Sequence, residues 1–453
     1  MTRPVLRDLL AALAAGLLLL VAVLVGHHLQ NSDGTLFVDW PPLLADWDPH
    51  TGPGTVPAVA IAVAGVAYGP GLAARLPWRI MPWAVWGTAT AWTFSLALVD
   101  GWQRGVAAKL TTRHEYLQVI DRFADIPAAL RGFNGHILID APDNWPAHVA
   151  GHPPAAPLTF VLLDRVGLGG GAWAGVWCIL LGASAAAAVL VTVRLAAGEE
   201  LARRAAPFLA LAPAAVWVGT SADGWFAAVA CWTVALLMIA VTRRAVLPAA
   251  AAGLLFGLTC YLSYGLTLFA LIAGAVLLLG RRAVRERPVL LAWFAAGAAV
   301  VPAAFTAAGF DWWEAYRLLV ERYHQGAGGI RPYGYWVWAN LACTVVITGF
   351  ATAAGLRRTA CVLAAERGRA LTPPGTGGPA ASAARLAVLV AAALLAVVVA
   401  DLSGMSKAET ERIWLPFALW LLPACAYLPG ARAWLGAQVV LALLVNHLLR
   451  TGW

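Results

Sequence analysis

The chain has 453 residues, of which 61% are apolar and only 12% are charged. Soluble domains carry about a quarter charged residues, whereas apolar stretches of about 20 residues, long enough to cross a bilayer, recur here from end to end. The composition therefore excludes a soluble protein and predicts an all-α fold, a polytopic bundle of transmembrane helices. The net charge of +8 does not indicate a nucleic-acid partner, because the basic residues collect in the loops of one predicted side.

The apolar stretches predict about thirteen spans. The first is interpreted as a retained span rather than a cleaved signal, because it lacks a small-residue cleavage site and is followed by further spans. The spans are expected at 8–27, 55–73, 80–99, 172–194, 203–219, 222–241, 246–262, 264–280, 288–308, 335–355, 385–401, 413–428 and 432–449.

Basic residues assign the two sides of the membrane, because cytoplasmic loops are rich in Arg and Lys. With a cytoplasmic N-terminus, the inner segments hold most of the 31 basic residues. They hold few acids, which are Asp8, Glu199, Glu200, Glu286 and Glu366. We therefore expect a multi-pass plasma-membrane protein whose acids, histidines and aromatic residues, and any active site, face outward. The richest outer segments are 28–54, 100–171, 309–334 and 401–413.

The first outer segment, 28–54, combines four widely spaced aspartates with Pro, Gly and Trp. Its Asp-Pro and Gly-Pro-Gly sequences are typical of turns, and the ligand spacing of an EF-hand is absent. We interpret this segment as a cover over an outer cavity.

In the second outer segment, 100–171, His114-Glu115-Tyr116 precede apolar residues at helical spacing, Leu117, Ile120 and Phe123. This pattern predicts an interfacial helix with Glu115, Arg122 and Asp125 turned to water. Further on, Gly151-His152-Pro153-Pro154 predicts an extended turn, because a residue that precedes proline is pushed out of the α region. A short amphipathic run, 158–168, follows.

His148 and His152 are four residues apart and would share one face of a helix. Together with His136 or Asp140 they could then bind a divalent metal. The prolines that follow disfavour that helix. Turn structure, or hydrogen bonding to a substrate, is the preferred interpretation of the two histidines, and no cofactor is expected.

These outer-loop residues, in this order, resemble the GT-C superfamily of membrane glycosyltransferases that use polyprenyl-phosphate sugars, such as protein O-mannosyltransferases and the lipid A aminoarabinose transferase. The family pattern is close to Asp-Glu-x-x-Tyr-x followed by Lys/His-Pro-Pro. Here His114 stands where the Asp would, Tyr116 follows Glu115 directly, and His152-Pro153-Pro154 matches the second motif. Asp223 takes the place of an acid at the outer tip of the next hairpin. The resemblance covers about 80–245.

The resemblance implies a general base in the first large outer loop that deprotonates the acceptor hydroxyl, with inversion at the sugar. A carboxylate suits this role because partial burial can tune its pKa. Our first choice is Glu115, the second is Asp100 at the end of a span, and the third is Asp140. The alternative for Glu115 is the solvated face of an interfacial helix.

The lipid-phosphate leaving group needs cationic partners, and Arg412 and Lys407 lie just before a span. Arg317, Arg322 and Arg331 are further candidates. The alternative for Arg412 is a snorkelling anchor or local pairing with Glu409 and Glu411. Aromatic residues of 309–334 could stack on sugar rings or form an interfacial belt. The predicted substrate-binding set is His114, Tyr116, His148, His152, Asp223, Trp312, Trp313, Tyr323, Lys407, Glu411 and Arg412.

We therefore expect sugar transfer from a polyprenyl-phosphate carrier to a cell-envelope glycan, lipid or protein acceptor, with membrane lipids as further partners. The main alternative is a lipid or solute transporter or flippase, which the scarcity of mid-span charge disfavours for ion-coupled transport. A polymer ligase and a non-catalytic scaffold are also open. The expected division is two extra N-terminal spans in 1–79, a GT-C-like core in 80–355, a cytoplasmic linker in 356–384 and C-terminal spans in 385–453.

Overall fold

A computed structural model describes residues 3–372 and 377–452 of the chain. In these ranges the fold is all-α, as predicted, apart from two three-residue strands. The α-helices are α1 (Arg3–Asp33), α2 (Thr55–Arg75), α3 (Met81–Ala97), α4 (Ile126–Gly132), α5 (Ala147–Ala150), α6 (Ala155–Arg165), α7 (Gly171–Ala197), α8 (Glu199–Ala210), α9 (Ala215–Val218), α10 (Ala222–Arg243), α11 (Val246–Leu262), α12 (Phe269–Leu279), α13 (Arg281–Glu286), α14 (Val289–Ala307), α15 (Trp312–Gln325), α16 (Ala327–Ile330), α17 (Tyr333–Thr348), α18 (Phe350–Glu366), α19 (Gly378–Leu402), α20 (Thr410–Ile413), α21 (Leu415–Ala418) and α22 (Ala431–Leu448).

Shorter helical turns occupy the connections. The 3₁₀ turns are Leu98–Asp100, Lys109–Thr111, Tyr116–Phe123, Phe133–His136, Tyr264–Leu268, Arg367–Leu371 and Leu422–Tyr427, and Gln103–Ala107 is a π-helical turn. The predicted interfacial helix of the second outer segment is thus the 3₁₀ turn Tyr116–Phe123, and the predicted amphipathic run is α6.

Seven described helices are long and apolar enough to cross a membrane: α1, α2, α7, α10, α14, α19 and α22. The pair α17 and α18 would make eight, although it bends by 107°. The bend lies at Gly349, whose φ of +85° is a backbone conformation that residues other than glycine rarely adopt. The stretches 203–219 and 413–428, each expected as one span, are instead broken into short helices near prolines, which remove backbone donors. The count of thirteen stays a prediction.

The centre of the bundle is formed by α7 and α10, which pack on each other and on α3 and α11. Small residues allow this close packing between membrane helices. The contact of α11 with α14 is the clearest case. A Cβ added to Gly253 would lie 2.0 Å from the Phe294 carbonyl oxygen, and one added to Gly297 would lie 2.1 Å from the Ala250 carbonyl oxygen.

The four predicted outer segments meet at one end of the bundle. Leu44 N–H donates to Glu411 Oε1 (3.0 Å), Arg331 Nε donates to the Leu36 carbonyl (2.9 Å), and Arg322 Nη2 donates to the Trp145 carbonyl (2.9 Å). The segment 28–54 therefore packs against 309–334 and 401–413, and its role as a cover over a cavity stays a prediction.

Predicted inner segments likewise contact one another. Asp8 is fully buried and pairs with both Arg357 and Arg358 at 2.6 Å, and Arg203 Nη1 donates to the Ala73 carbonyl (2.7 Å). The grouping of the loops into two sides thus agrees with these contacts. Which side is cytoplasmic stays a prediction.

A small antiparallel sheet joins the first outer segment to the residues after α22. Strand β1 (Ala45–Trp47) pairs with β2 (Leu449–Thr451), so that Asp46 lies opposite Arg450. Residues 449–451 are therefore on the same side of the bundle as 28–54.

Candidate active site

The outer segments meet at a buried set of charged side chains. Glu115, in the second outer segment, and Arg412, in α20, are joined through a single histidine. His148 Nδ1 lies 2.8 Å from Glu115 Oε1, and His148 Nε2 lies 3.0 Å from Arg412 Nη2. A potential proton acceptor and a permanent cation are therefore held one imidazole ring apart.

The two neighbours of His148 determine its protonation. A guanidinium only donates hydrogen bonds, so the Nε2 atom that faces Arg412 must accept. An ionised carboxylate only accepts, so Nδ1 must carry the proton and donate it to Glu115. In this arrangement Nδ1 donates to Glu115 and Nε2 accepts from Arg412.

Arg412 is the junction of the set. Its Nη1 lies 2.7 Å from Asp223 Oδ2 in the first turn of α10, and its Nη2 lies 2.9 Å from Glu409 Oε2. The other oxygen of Glu409 lies 3.7 Å from Arg331 Nη1. We call these six residues, Glu115, His148, Asp223, Arg331, Glu409 and Arg412, the outer charge cluster.

Local chain geometry positions His148. Its backbone N–H donates to the His114 carbonyl (3.0 Å), which draws the turn α5 against the residue that precedes Glu115. His152 Nδ1 lies 2.7 Å from the His148 carbonyl. Pro154 then leads into α6, because the fixed φ of proline suits the start of a helix. The Pro-Pro motif thus fixes the exit of the chain behind the two histidines.

The aromatic ring of Tyr116 lies next to His148, with ring centroids 6.2 Å apart. The Tyr116 ring is buried, stacks on Phe160 with centroids 5.5 Å apart, and lies 5.8 Å from His152. Burial raises the pKa of the Tyr116 hydroxyl well above its ordinary value, and burial lowers the pKa of His152 to about 4. Both side chains are therefore neutral at neutral pH.

Glu115 is buried, with 5% of its surface exposed, so the expected position on a solvated helix face is wrong. The residue lies before the 3₁₀ turn, where hydrogen bonding to His148 draws it inward. Burial by itself would raise the pKa of Glu115, but His148 and Arg412 hold that pKa below its ordinary value. Its second oxygen, Oε2, is buried and accepts no hydrogen bond from any residue that the structure describes.

Asp100, the second candidate base, contacts a different set of residues. Its Oδ1 lies 3.1 Å from His50 Nε2, 3.9 Å from Arg450 Nε and 4.0 Å from Arg104 Nε. Burial lowers the pKa of the neighbouring Lys109 to about 8, against the opposing effect of Asp100. This set links the first and second outer segments to β2.

Asp140, the third candidate base, is exposed, and its Oδ1 lies 3.5 Å from Gln325 Nε2. The structure provides it with no contact to the outer charge cluster among the described residues. His114 is also exposed, and its ring accepts from Arg113 Nε (3.0 Å), so only its backbone carbonyl contributes to the cluster.

The aromatic residues of α15 form a group of their own. Trp312 stacks on Tyr316 with centroids 5.7 Å apart and donates to the Cys260 carbonyl, while Trp313 is 73% exposed. Tyr264 packs against both Trp312 and Tyr316. These contacts are compatible with either interpretation, a sugar-stacking surface or an interfacial belt.

Three further predicted residues hold the segment 401–413. Lys407 Nζ donates to the Gly328 carbonyl (2.8 Å), and its backbone N–H donates to the Tyr323 hydroxyl (3.1 Å). Glu411 is fully buried and accepts from Leu44, away from Arg412. Its burial raises its pKa to about 7. These side chains connect outer segments rather than lining the cluster.

Glu409 and Arg331 are cluster members that the predicted substrate-binding set omits. Glu409 precedes Arg412 by three residues, and it forms the local pair that the sequence offered as an alternative. Arg412 is not a snorkelling anchor, because its side chain is only 6% exposed and contacts acids. Arg331 lies far away in sequence, and no local pattern joins it to Glu409.

No group of three or more His, Cys, Asp or Glu side chains in the described ranges is arranged to hold a metal ion. His148 has both ring nitrogens engaged, by Glu115 and Arg412. In this conformation it therefore has no lone pair to offer to a metal that His152 might share. The metal alternative gains no support from the geometry of the two histidines.

No protein-family model and no curated protein sequence matches this chain. Solved structures of the Archaeoglobus fulgidus oligosaccharyltransferase are similar to it. The complex with Zn and sulfate has 13% identity and a TM-score of 0.36, over 69% of this chain and 49% of that one. The apo form has 13% identity and a TM-score of 0.38, over 87% and 56%. This chain thus spans about half the length of those structures.

Proposed function

We propose that this chain is a membrane glycosyltransferase that moves a sugar from a polyprenyl-phosphate carrier to a cell-envelope acceptor on the outer face of the plasma membrane. One observation carries the proposal: the buried Glu115 carboxylate and the buried Arg412 guanidinium are joined through His148. Transfer of a glycosyl group from a phosphate needs both groups. A base must accept the proton of the attacking hydroxyl, and a cation must stabilise the departing phosphate.

In the proposed reaction, Glu115 Oε2 accepts the proton of the acceptor hydroxyl while that oxygen forms a bond to the anomeric carbon. The bond from the anomeric carbon to the phosphate oxygen breaks, and its electron pair leaves with the phosphate. The products are a glycoside of inverted configuration and the free polyprenyl phosphate.

Arg412 is the proposed partner of the leaving phosphate, because guanidinium groups bind phosphate oxygens in a planar fork. Asp223 holds Arg412 from the start of α10, so the cation lies at the end of a candidate span. A lipid-linked phosphate with its tail in the bilayer reaches this level. Engagement of Arg412 by that phosphate would weaken its pull on Glu115 and make Glu115 a stronger base.

His148 is proposed as a positioning residue. Its Nδ1–H fixes Glu115 Oε1 and leaves Oε2 for the acceptor.

The long apolar helices carry their buried acids near helix ends, as with Asp8, Asp223 and Asp401. In the part of the chain that the structure describes, none of the candidate spans carries a buried acid at its middle, where ion-coupled transporters place ionisable groups.

The test uses the full chain in lipid nanodiscs with a panel of radiolabelled polyprenyl-phosphate sugars. Wild type is compared with Glu115→Gln, Asp100→Asn and, as the matched control in the same segment, Asp121→Asn, which replaces an exposed acid. We expect Glu115→Gln to lower sugar release by about 10²- to 10⁴-fold and the control to retain it. If only Asp100→Asn loses sugar release, Asp100 is the base instead of Glu115. Absence of turnover by wild type, together with lipid or solute flux, would replace the proposal by a transporter.

A further inference from the structure

The carboxylate of Glu409 lies between two arginines. Its Oε2 is 2.9 Å from Arg412 Nη2 and its Oε1 is 3.7 Å from Arg331 Nη1, so each oxygen faces a different guanidinium. Two guanidinium groups that converge on separate oxygens of one anion are also a favourable arrangement for a phosphate. An internal carboxylate therefore occupies a place whose chemistry suits a phosphate.

We propose that Glu409 is a built-in substitute for the phosphate of the substrate, and that the substrate phosphate binds between Arg331 and Arg412 by displacing the Glu409 carboxylate. The inference rests on the proposed function in one respect, the assignment of Arg412 to the leaving phosphate. It adds Arg331 to the phosphate site and gives the site a resident competitor.

The exposed fractions of the side chains favour Glu409 as the group that the phosphate displaces. Its side chain is 24% exposed, whereas those of Arg412 and Arg331 are 6% and 10% exposed. Glu115 and Asp223, the other carboxylates of the outer charge cluster, are 6% and 7% exposed. Glu409 is thus the carboxylate of the cluster that can turn outward with the least rearrangement of its surroundings.

The backbone of Glu409 also favours release. Ala408 and Glu409 have φ values of 70° and 61°, a left-handed conformation that is unfavourable for residues other than glycine. Arg331 holds this segment, because its Nη1 donates to the Lys407 carbonyl (2.8 Å) while it faces Glu409. The strained segment is therefore held by one of the arginines that the phosphate would engage.

Charge balance requires an exchange rather than a simple addition. The outer charge cluster sets three carboxylates, Glu115, Asp223 and Glu409, against two guanidinium groups. A phosphate added to this cluster would meet an excess of negative charge at short range. Departure of Glu409 removes one carboxylate from the site and frees the faces of Arg331 and Arg412 that the Glu409 oxygens now contact.

The experiment measures binding to the full chain in nanodiscs, with no sugar turnover involved. The probes are radiolabelled undecaprenyl phosphate and inorganic phosphate as its competitor. Variants are Glu409→Gln, which keeps the size but removes the charge, and Glu409→Asp, which keeps the charge. Glu321→Gln is the control, since it removes an exposed acid from α15 on the same side. Thermal unfolding identifies any variant that is misfolded.

We expect Glu409→Gln to bind undecaprenyl phosphate at least about tenfold more tightly than wild type, with Glu409→Asp and Glu321→Gln close to wild type. If inorganic phosphate also competes more strongly in Glu409→Gln than in wild type, the phosphate group itself is the ligand. If only undecaprenyl phosphate binds Glu409→Gln more tightly, the ligand is the lipid-linked phosphate. Binding by folded Glu409→Gln that is equal to wild type or weaker would overturn the inference. Tightened binding without sugar turnover would reject the transferase and retain the phosphate site.

Discussion

Replacement of Arg412 by glutamine is the most direct perturbation of the outer charge cluster. The guanidinium lies within 3.0 Å of His148 and within 2.9 Å of both Asp223 and Glu409, and its side chain is 6% exposed. Removing one member of a buried ion pair costs about 3–5 kcal/mol, because the remaining charge stays buried without compensation. Arg412→Gln would leave the Asp223 carboxylate in this state, whereas Glu409 keeps Arg331 at 3.7 Å and is partly exposed. We therefore expect a loss of about 4 kcal/mol in the free energy of unfolding.

Thermal unfolding in nanodiscs measures this loss, and for a chain of this size we expect the midpoint to fall by at least about 5 °C. Arg317→Gln is the matched control, because Arg317 is exposed on the same side of the bundle, and it should change stability by less than about 0.5 kcal/mol. The double variant Arg412→Gln/Asp223→Asn should recover part of the loss, since it removes the carboxylate left without its partner. The reasoning would be refuted if Arg412→Gln resembled Arg317→Gln and the double variant recovered nothing.

Two further predictions concern the pH dependence of stability and the bend between α17 and α18. The pKa of Glu115 is depressed in the folded chain, so its stabilising contribution is present above the ordinary value of 4.5 and is lost as pH falls through the folded pKa. The stability gap between wild type and Glu115→Gln should therefore narrow below pH 4.5, and a gap that widened would contradict the shift. Gly349→Ala should lower the free energy of unfolding by about 1–2 kcal/mol, because Gly349 has a left-handed φ of +85°. The control Gly334→Ala, in α17 with open space around it, should lower that free energy by less. Equal losses in the two variants would show that the backbone conformation of Gly349 is not the cause.

Much of the candidate site was predictable from the sequence because its signals are local. Glu115, His148 and His152 lie in one segment with a recognisable order, and the Pro-Pro pair indicates where the chain must turn. Asp223 and Arg412 lie next to apolar stretches, so the sequence predicts both at the ends of spans. Their chemistry is specified by residue type and by distance from a span.

The contacts between these residues were not predictable. Glu115 was expected to face water because helical spacing put it on the polar face, yet the hydrogen bond to His148 holds it inside. Glu411 belongs to the predicted substrate-binding set, and its carboxylate accepts from Leu44, while Glu409 lies beside Arg412. Two residues on a short turn point in different directions, and only the backbone conformation decides which one faces the cluster.

The class of the protein, most of its apolar stretches and the grouping of its loops into two sides follow from the sequence, because they depend on hydrophobic length and charge along the chain. Only the folded chain shows that Arg412 meets Asp223, 189 residues away, that Arg331 and Glu409 join them, and that Asp100 and Asp140 do not. Such contacts depend on how helices pack around small residues and on which buried charges find partners. Neither property is encoded in any single segment of the chain.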